Sequence, residues 1–290
     1  MENDSVQQIS NIRLNRPHGR PILLDVLYPA AAADKPVVIF CHGFKGFKDW
    51  GAFPMLARLI ARAGYVLVKF NFSHNGIGTE RLDAFDDLEG FGANTLTKEM
   101  DDLGAVIDWC TYADPLVEAR ADTRSIHLIG HSRGGGICIC KAAEDARVTK
   151  LITWAAVYDF TYNMSEEELR IWEEEGVRYI PNARTGQQMP MKYDYVVDYF
   201  QNRDRLDIQQ QAEKITQPTL IVHGTDDEAL PFEGAIAFKK KLPHAKLCLI
   251  PAATHTFNIK HPFEDQKLPF NAQVLMKETL RFLADAGAPG

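Results

Sequence analysis

Two regular patterns of hydrophobic and polar positions alternate along much of the first half of this chain. Uninterrupted apolar runs predict strands that are covered on both faces, and apolar residues that recur every three or four positions predict amphipathic helices. Between residues 36 and 155 the two patterns follow one another as strand, helix, strand, helix, strand, helix and strand. Such alternation is typical of an α/β fold, with a mostly parallel sheet and helices on both faces.

The boundaries of these elements can be read from the same pattern. The predicted strands are residues 36–41, 65–70, the run that starts at Ile126, and 151–155. The first helix is marked by Phe53, Leu56, Ala57 and Ile60 and is capped by Gly64. The second is marked by Leu96, Met100, Leu103 and Ile107 and is closed by Asp114-Pro115. The third consists of the small residues after the third strand. A β-hairpin of residues 6–14 and 21–28, turning at His18-Gly19, precedes them, and residues 30–34 form a linker.

The alternation stops between Tyr158 and Ile215 and then resumes. This segment carries a helix that begins at Ser165 with the capping box Ser165-x-x-Glu168, glycine and proline punctuation at residues 176–190, and a helix near residues 193–201. It is too structured for a linker and too short for a stable independent domain. We therefore expect a core domain of residues 1–157 and 216–290 and a lid or cap insertion of residues 158–215. The resumed pattern comprises strands 219–223 and 247–250, a helix at 232–242 and a final helix capped by Asn271.

Composition and charge exclude several classes of function. The chain has 46% apolar and 24% charged residues and a net charge of −7, which is ordinary for a globular protein and disfavours a nucleic-acid partner. It has no secretory h-region and no apolar run long enough for a membrane span. The odd number of cysteines, 5, mostly within apolar runs, favours a reducing, cytoplasmic location. Cys138-x-Cys140 lacks metal-site spacing and no H-E-x-x-H is present, so neither a metal nor another cofactor is expected.

The candidate chemistry centres on Gly130-His131-Ser132-Arg133-Gly134, a G-x-S-x-G pentapeptide between a predicted strand and a predicted helix. This is the context of a nucleophile elbow, a turn so tight that a Cβ two residues on either side of the serine would strike its neighbours. The serine hydroxyl would stand exposed on that strained turn. We therefore predict that Ser132 is a nucleophile.

A serine hydroxyl needs a base to take its proton and an acid to orient that base. Two downstream segments supply them, each just past the carboxyl end of a predicted strand, where open α/β sheets place their ligands. The first contains the neighbouring carboxylates Asp226 and Asp227, and the second contains His255. The order serine, acid, histidine is that of α/β-hydrolases.

On these motifs the chain resembles the α/β-hydrolase superfamily, and within it the dienelactone-hydrolase-like and acyl-peptidase-like serine esterases, from Ile22 to Ala286. Their acid stands in the pattern H-G-x-x-D-x-x-V-P, which laid on residues 223–231 selects Asp227 over Asp226. The resemblance also implies an oxyanion hole formed by the backbone N–H groups of Phe44 and Arg133. The Arg133 side chain departs from the smaller residue of many relatives, and either binds a substrate carboxylate or pairs with an acidic neighbour.

Residues beside the expected cleft are candidates for substrate binding, and each has a structural alternative. We assign this role to His42, Lys45, Trp50, Tyr158 and Trp172. Histidines at such loops often only orient the backbone, exposed lysines are common on any surface, and aromatic residues of the lid could simply attach it to the sheet.

The resulting prediction is a serine hydrolase that needs no cofactor and cleaves a carboxylic ester, or a thioester or amide, through an acyl-enzyme. Its partner is a small-molecule ester, and its oligomeric state stays open. A non-hydrolytic triad enzyme, an acyltransferase or lyase, would differ in its products, and a ligand receptor on the same fold would not react with a fluorophosphonate. Nothing in the sequence identifies the acyl group.

Overall fold

A computed structural model describes residues 5–30, 34–162 and 164–285. Ten strands lie within these ranges: β1 (Val6–Leu14), β2 (Ile22–Pro29), β3 (Lys35–Cys41), β4 (Val66–Asn71), β5 (Ala121–His131), β6 (Val148–Trp154), β7 (Val177–Pro181), β8 (Gln188–Lys192), β9 (Thr219–Gly224) and β10 (Lys246–Ile250). Most of the linker predicted at residues 30–34 lies outside the described residues. The other predicted strands are confirmed with shifts of a few residues at their ends.

The α-helices are α1 (Phe53–Arg62), α2 (Leu88–Gly92), α3 (Leu96–Tyr112), α4 (Asp114–Glu118), α5 (Arg133–Glu144), α6 (Glu166–Glu175), α7 (Asp194–Gln201), α8 (Arg203–Leu206), α9 (Ile208–Gln211), α10 (Glu233–Lys241) and α11 (Phe270–Ala284). A single 3-10 turn, Ala212–Lys214, follows α9. Among the helices within the described ranges, none combines the length and the apolar character needed to cross a bilayer.

Eight strands form one sheet in the order β1-β2-β4-β3-β5-β6-β9-β10. The pairs β1·β2 and β2·β4 are antiparallel, and every pairing from β4·β3 to β9·β10 is parallel. The carboxyl ends of β3, β5, β9 and β10 therefore share one edge of the sheet. This arrangement confirms the predicted α/β-hydrolase fold, with its mostly parallel central sheet.

Hydrophobic packing occupies both faces of this sheet. Alternate residues of β3 point to opposite sides, so Val37 and Ile39 join the layer that contains α3 and α5. Val38 and Phe40 instead join the layer that contains α1 and α11. Burial on both faces explains why the parallel strands read as continuous apolar runs.

The segment between residues 158 and 215 folds into α6 to α9 and an antiparallel hairpin of β7 and β8. The hairpin was not predicted. The Trp172 indole of α6 donates to Met191 O of β8 at 2.9 Å, and Thr97 N at the start of α3 donates to Asp198 Oδ2 of α7 at 3.0 Å. The first contact holds α6 against the hairpin within the segment, and the second attaches the segment to α3 of the core.

One predicted helix end is corrected, and the predicted end of α3 before Asp114-Pro115 is confirmed. The final helix begins at Phe270 with Pro269 at its N-cap. Asn271 lies inside the first turn, and its side-chain amide donates to Ala252 O at 2.9 Å and to Asn258 Oδ1 at 2.7 Å. Its polar side chain therefore ties the helix to the preceding loop. Asp114-Pro115 starts α4, one residue after the end of α3, since proline is well tolerated in a first helical turn.

Candidate active site

Ser132 stands on the turn between β5 and α5 with φ 55° and ψ −123°. This backbone conformation is strained for a residue with a side chain and occurs at functional turns. A Cβ on Gly130 would lie 2.4 Å from Gly134 O, and one on Gly134 would lie 2.4 Å from His42 O. Both contacts are with backbone, so these positions need glycine, as the pentapeptide predicts.

The three residues of the predicted triad lie within hydrogen-bond distance of one another. Ser132 Oγ is 3.0 Å from His255 Nε2. On the other side of the ring, His255 Nδ1 lies 2.9 Å from Asp227 Oδ2 and 3.1 Å from Oδ1. A carboxylate only accepts hydrogen bonds, so Nδ1 carries the imidazole proton and Nε2 is left to accept from the serine hydroxyl.

The environment of Asp227 keeps its carboxylate ionised. Its side chain is fully buried, which opposes ionisation, but hydrogen bonds from His223 and His255 hold its pKa well below the usual range. Oδ1 also accepts from the amides of Ala229 and Leu230 at 2.9 and 2.8 Å. His223 Nε2 lies 3.0 Å from Asp227 Oδ2 and 3.1 Å from Leu230 O. No local pattern in the sequence indicates that His223 holds the acid, because the contact depends on how the loop after β9 folds back.

Asp226 is placed differently from its neighbour. It is exposed, and its Oδ1 accepts from the Thr225 hydroxyl at 3.1 Å. Its amide donates to Ala253 O at 3.0 Å, so its backbone joins the two loops while its carboxylate faces solvent.

The loop that carries His255 is tightly coiled. Ala252, Phe257 and Asn258 all have positive φ, at 55°, 54° and 65°. His131 Nε2 lies 3.0 Å from His255 O, and because a carbonyl only accepts, Nε2 carries the proton. Burial lowers the pKa of His131 to about 3, so its ring stays neutral next to His255. His131 thus connects the elbow to the loop of the presumed base.

The loop after β3 approaches the serine closely. A Cβ on Gly43 would lie 2.7 Å from Ser132 Cβ. Gly46 N donates to Gly43 O at 3.0 Å, which closes a turn whose third residue, Lys45, has φ 54°. The Phe44 amide lies in this turn. Arg133 is the first residue of α5, where amides have no intrahelical acceptor. Both backbone groups therefore stand next to Ser132, where the resemblance implies an oxyanion hole.

A cluster of buried charges supports the loop after β3. Lys48 Nζ lies 2.8 Å from Asp25 Oδ2, Lys69 Nζ contacts both Asp25 and Asp49, and Lys48 N donates to Asn71 Oδ1 at 2.7 Å. Burial opposes ionisation of Asp25, but the two lysines hold its pKa below the usual value. A signal was available in the sequence: Asp25 and Lys69 are isolated charges within apolar strands, and they are register partners of β2 and β4.

The Arg133 side chain pairs with an acidic neighbour. Its Nη2 lies 2.6 Å from Glu99 Oε1, and its guanidinium stacks over the Phe44 ring at 4.5 Å from the ring centroid. Burial raises the pKa of Glu99, although the charge of Arg133 opposes this. Of the two roles considered for this side chain, the structure places it in the ion pair.

A cavity of about 170 Å³ opens beside Ser132. Its lining combines aromatic rings, two cations and the presumed base: Gly43, Phe44, Lys45, Gly46, Trp50, Phe53, His131, Ser132, Arg184, His255 and Thr256. Lys45 and Trp50 were predicted as substrate-binding residues and lie here. Arg184 and Thr256 were not predicted, because nothing local in their sequence distinguishes them.

Three predicted substrate-binding residues do not line this cavity. His42 is buried, its Nδ1 contacts Gly43 O at 2.9 Å, and burial lowers its pKa to about 4. Tyr158 stacks on Phe238 and lines a separate cavity beside Leu230. Trp172 is buried and stacks on Tyr195 within the segment between residues 158 and 215. Each of these side chains makes contacts away from the cavity.

Side chains that bind metals are dispersed over the described part of the chain. Within those ranges, no group of three or more histidine, cysteine, aspartate or glutamate residues is arranged to hold a metal ion.

Known proteins give three points of comparison. The sequence model of the prolyl oligopeptidase family matches residues 52–261. An uncharacterised 31.7 kDa protein of the traX-finO intergenic region of Escherichia coli is 27% identical over 152 residues, which is 51% of this chain and 48% of that protein. The chain thus matches about half the length of this curated relative.

Solved structures share the fold over nearly the whole chain. Est1E from Butyrivibrio proteoclasticus superposes with a TM-score of 0.68 at 21% identity, over 95% of this chain and 98% of that one. A putative dienelactone hydrolase from Klebsiella pneumoniae has a TM-score of 0.60 at 15% identity, over 97% and 99% of the two chains. The α/β-hydrolase resemblance noted from the motifs is confirmed.

Proposed function

Since the chain belongs to the prolyl oligopeptidase family, we propose that it is a serine hydrolase that cleaves a carboxylic ester through an acyl-enzyme. A thioester or an amide could follow the same course. The observation that carries the proposal is the continuous contact from Ser132 Oγ to His255 Nε2 at 3.0 Å and from His255 Nδ1 to Asp227 at 2.9 Å.

The proposed reaction begins when Ser132 Oγ attacks the ester carbonyl carbon and its proton passes to His255 Nε2. Asp227 stabilises the imidazolium that forms. The amides of Phe44 and Arg133 would donate to the oxygen that becomes negative in the tetrahedral intermediate. As this intermediate collapses, His255 returns the proton to the departing alcohol. Water then attacks the acyl-enzyme by the same steps and releases the acid.

Replacing Ser132 by Ala tests the nucleophile. With p-nitrophenyl acetate, Ser132→Ala should lower kcat by about 10⁶-fold, as removing one member of such a unit does elsewhere. Ser125→Ala is the matched control, since Ser125 lies on the same strand but does not line the cavity beside Ser132. Turnover by Ser132→Ala close to that of the parent would refute the assignment.

Two further measurements separate this proposal from its alternatives. Labelling of Ser132 by a fluorophosphonate, absent in Ser132→Ala, would argue against a ligand receptor with unused chemistry. Identifying free acid and alcohol as products would argue against an acyltransferase or a lyase. A prolyl anilide belongs beside the esters, because the family takes its name from an oligopeptidase.

The aromatic lining formed by Phe44, Trp50 and Phe53 supports a small ester with an apolar or aromatic group. One of the compared structures is Est1E with ferulic acid bound, so a feruloyl ester should be tested with acetyl, butyryl and benzoyl esters. These esters should share the same alcohol, so that the ester with the highest rate identifies the acyl group that the site prefers.

A further inference from the structure

Two cationic side chains from distant parts of the sequence meet at the cavity beside Ser132. Lys45 belongs to the loop after β3, and Arg184 belongs to the turn that joins β7 and β8. Lys45 is half-buried, and Arg184 is exposed at the rim. The cavity therefore contains two positive charges on the side where the lid segment meets the core.

Neutral groups hold both cations in place. Lys45 Nζ donates to Pro181 O at 3.2 Å, and Arg184 Nη2 donates to Lys45 O at 3.0 Å. Aromatic faces flank them as well: Lys45 Nζ lies 5.8 Å from the centroid of the Phe44 ring, and the Arg184 guanidinium lies 5.8 Å from that of Trp50. These contacts fix the position of each charge and leave further N–H donors of the guanidinium available.

Within the described part of the chain, no carboxylate pairs with either of these two charges. Throughout residues 5–30, 34–162 and 164–285, neither Lys45 nor Arg184 has an aspartate or glutamate oxygen within 4.0 Å. Other cations near the site do have such a partner, Arg133 in Glu99 and Lys48 in Asp25. Burial, and then the charge of Arg184, lowers the pKa of Lys45. An anion bound between the two would remove this repulsion.

We propose that Lys45 and Arg184 form an anion subsite of the Ser132 cavity, and that it selects small esters carrying a carboxylate a few atoms from the scissile carbonyl. The inference rests on the proposed function, because the subsite positions an ester for attack by Ser132. A guanidinium presents two parallel donors that match a carboxylate, and an ammonium supplies a second charge. The subsite also gives a reason for the contact between the β7–β8 turn and the loop after β3, since each of them supplies one of the two cations.

The test compares two matched pairs of esters that differ only in a carboxylate. On the acyl side these are p-nitrophenyl hemiglutarate and p-nitrophenyl pentanoate, and on the alcohol side they are 4-acetoxybenzoate and its methyl ester. The parent protein should favour the charged member of at least one pair in kcat/KM. Arg184→Gln and Lys45→Gln should each lower the ratio of charged to neutral kcat/KM by about 10- to 100-fold, the range for a lost charge-assisted hydrogen bond, mainly through KM.

Arg170→Gln is the control, because it removes one positive charge from the same lid segment at an exposed ion pair with Glu174. It should leave the ratio as it is in the parent. Raising the NaCl concentration from about 20 to about 500 mM should weaken the preference for the charged ester, since salt screens exposed charges.

The outcomes are distinct. Equal losses for charged and neutral esters in Arg184→Gln would show that the side chain only holds the hairpin, and would overturn the inference while leaving the hydrolase proposal intact. A parent protein without preference in either pair would overturn it too. Failure to hydrolyse any of the four esters, or to react with a fluorophosphonate, would refute the proposed function and this subsite with it.

Discussion

At the scale of single residues, the two adjacent carboxylates of residues 226 and 227 differ in their burial and in their hydrogen-bond partners. Asp227 is buried against His223 and His255, whereas Asp226 is exposed and accepts from Thr225. The order of residues before Pro231 favours Asp227, but only the fold brings its side chain to the imidazole, because the loops after β9 and β10 lie side by side. Replacing each aspartate by asparagine, which has nearly the same volume, tests this difference.

Asp227→Asn should lower kcat by about 10⁴-fold, because an amide in place of the carboxylate favours the wrong tautomer of His255. Asp226→Asn should change kcat by less than about threefold, as expected for an exposed group outside the triad. Steady-state kinetics with one ester measures both variants. Equal losses would show that the spacing to Pro231 selected the wrong residue.

At the scale of elements, the elbow joins β5 to α5 where the helix backbone passes close to the end of β3. A Cβ at Gly134 would meet His42 O at 2.4 Å and Cys41 O at 2.6 Å, both in or next to β3. Gly134→Ala should therefore displace the helix from the sheet, lowering the free energy of unfolding by about 3 kcal/mol or more and reducing activity. Urea unfolding and ester turnover measure the two effects.

A matched glycine in another helix supplies the control. A Cβ at Gly104 of α3 would meet no backbone, only the far end of the flexible Lys141 side chain, whose Nζ lies 3.1 Å away and pairs with Glu144. Gly104→Ala should stabilise the protein by up to about 1 kcal/mol, since alanine has the higher helix propensity. Similar destabilisation by both substitutions would show that backbone contact does not explain the need for Gly134.

The β7–β8 hairpin shows where the pattern of a segment is too weak to predict an element. Its strands are five residues each, β7 is largely exposed, and Pro181 and Pro190 lie within them. Proline within a segment argues against a strand there, because proline donates no ladder hydrogen bond. The hairpin is stabilised by distant contacts instead, among them Gln187 Nε2 to Phe85 O at 2.8 Å and Arg184 to Lys45 O at 3.0 Å.

At the scale of the whole molecule, buried histidines set the response of stability to acid. Burial lowers the pKa of His42, His74 and His127 to about 4 and that of His131 to about 3. An unfolded histidine has a pKa near 6.5, so below that pH the unfolded chain binds more protons than the folded one. The contribution of these neutral histidines to the free energy of unfolding is complete above about pH 6.5. It is lost as the pH falls toward about 4, by up to ~1.4 kcal/mol per pH unit for each histidine.

Two buried acids act in the opposite direction. Burial raises the pKa of Asp102 to about 6 and also raises that of Glu99, so the contribution of Asp102 to stability falls as the pH rises from about 4 to 6. Four histidines outweigh these two acids, and the free energy of unfolding should decrease from pH 6.5 to pH 4.5. Urea unfolding at several pH values measures this slope.

Two substitutions separate these contributions. His127→Gln removes a histidine within β5 that contacts Thr149 Oγ1 at 2.9 Å and does not line the cavity beside Ser132. It should flatten the slope by up to ~1.4 kcal/mol per pH unit. Asp102→Asn should steepen it. A slope unchanged in both variants would show that the two groups titrate alike in the folded and unfolded chains.

The sequence by itself determined the alternation of strands and helices, the elbow at Ser132, and the order in which the acid and the histidine follow it. Local periodicity and steric need set these features, and both are written in neighbouring residues. Only the tertiary structure decided that Arg133 turns to Glu99, that His42, Tyr158 and Trp172 lie away from the cavity, and that Arg184 reaches it. These contacts join residues from about 30 to about 140 positions apart, and no local pattern encodes which distant loop a side chain will meet.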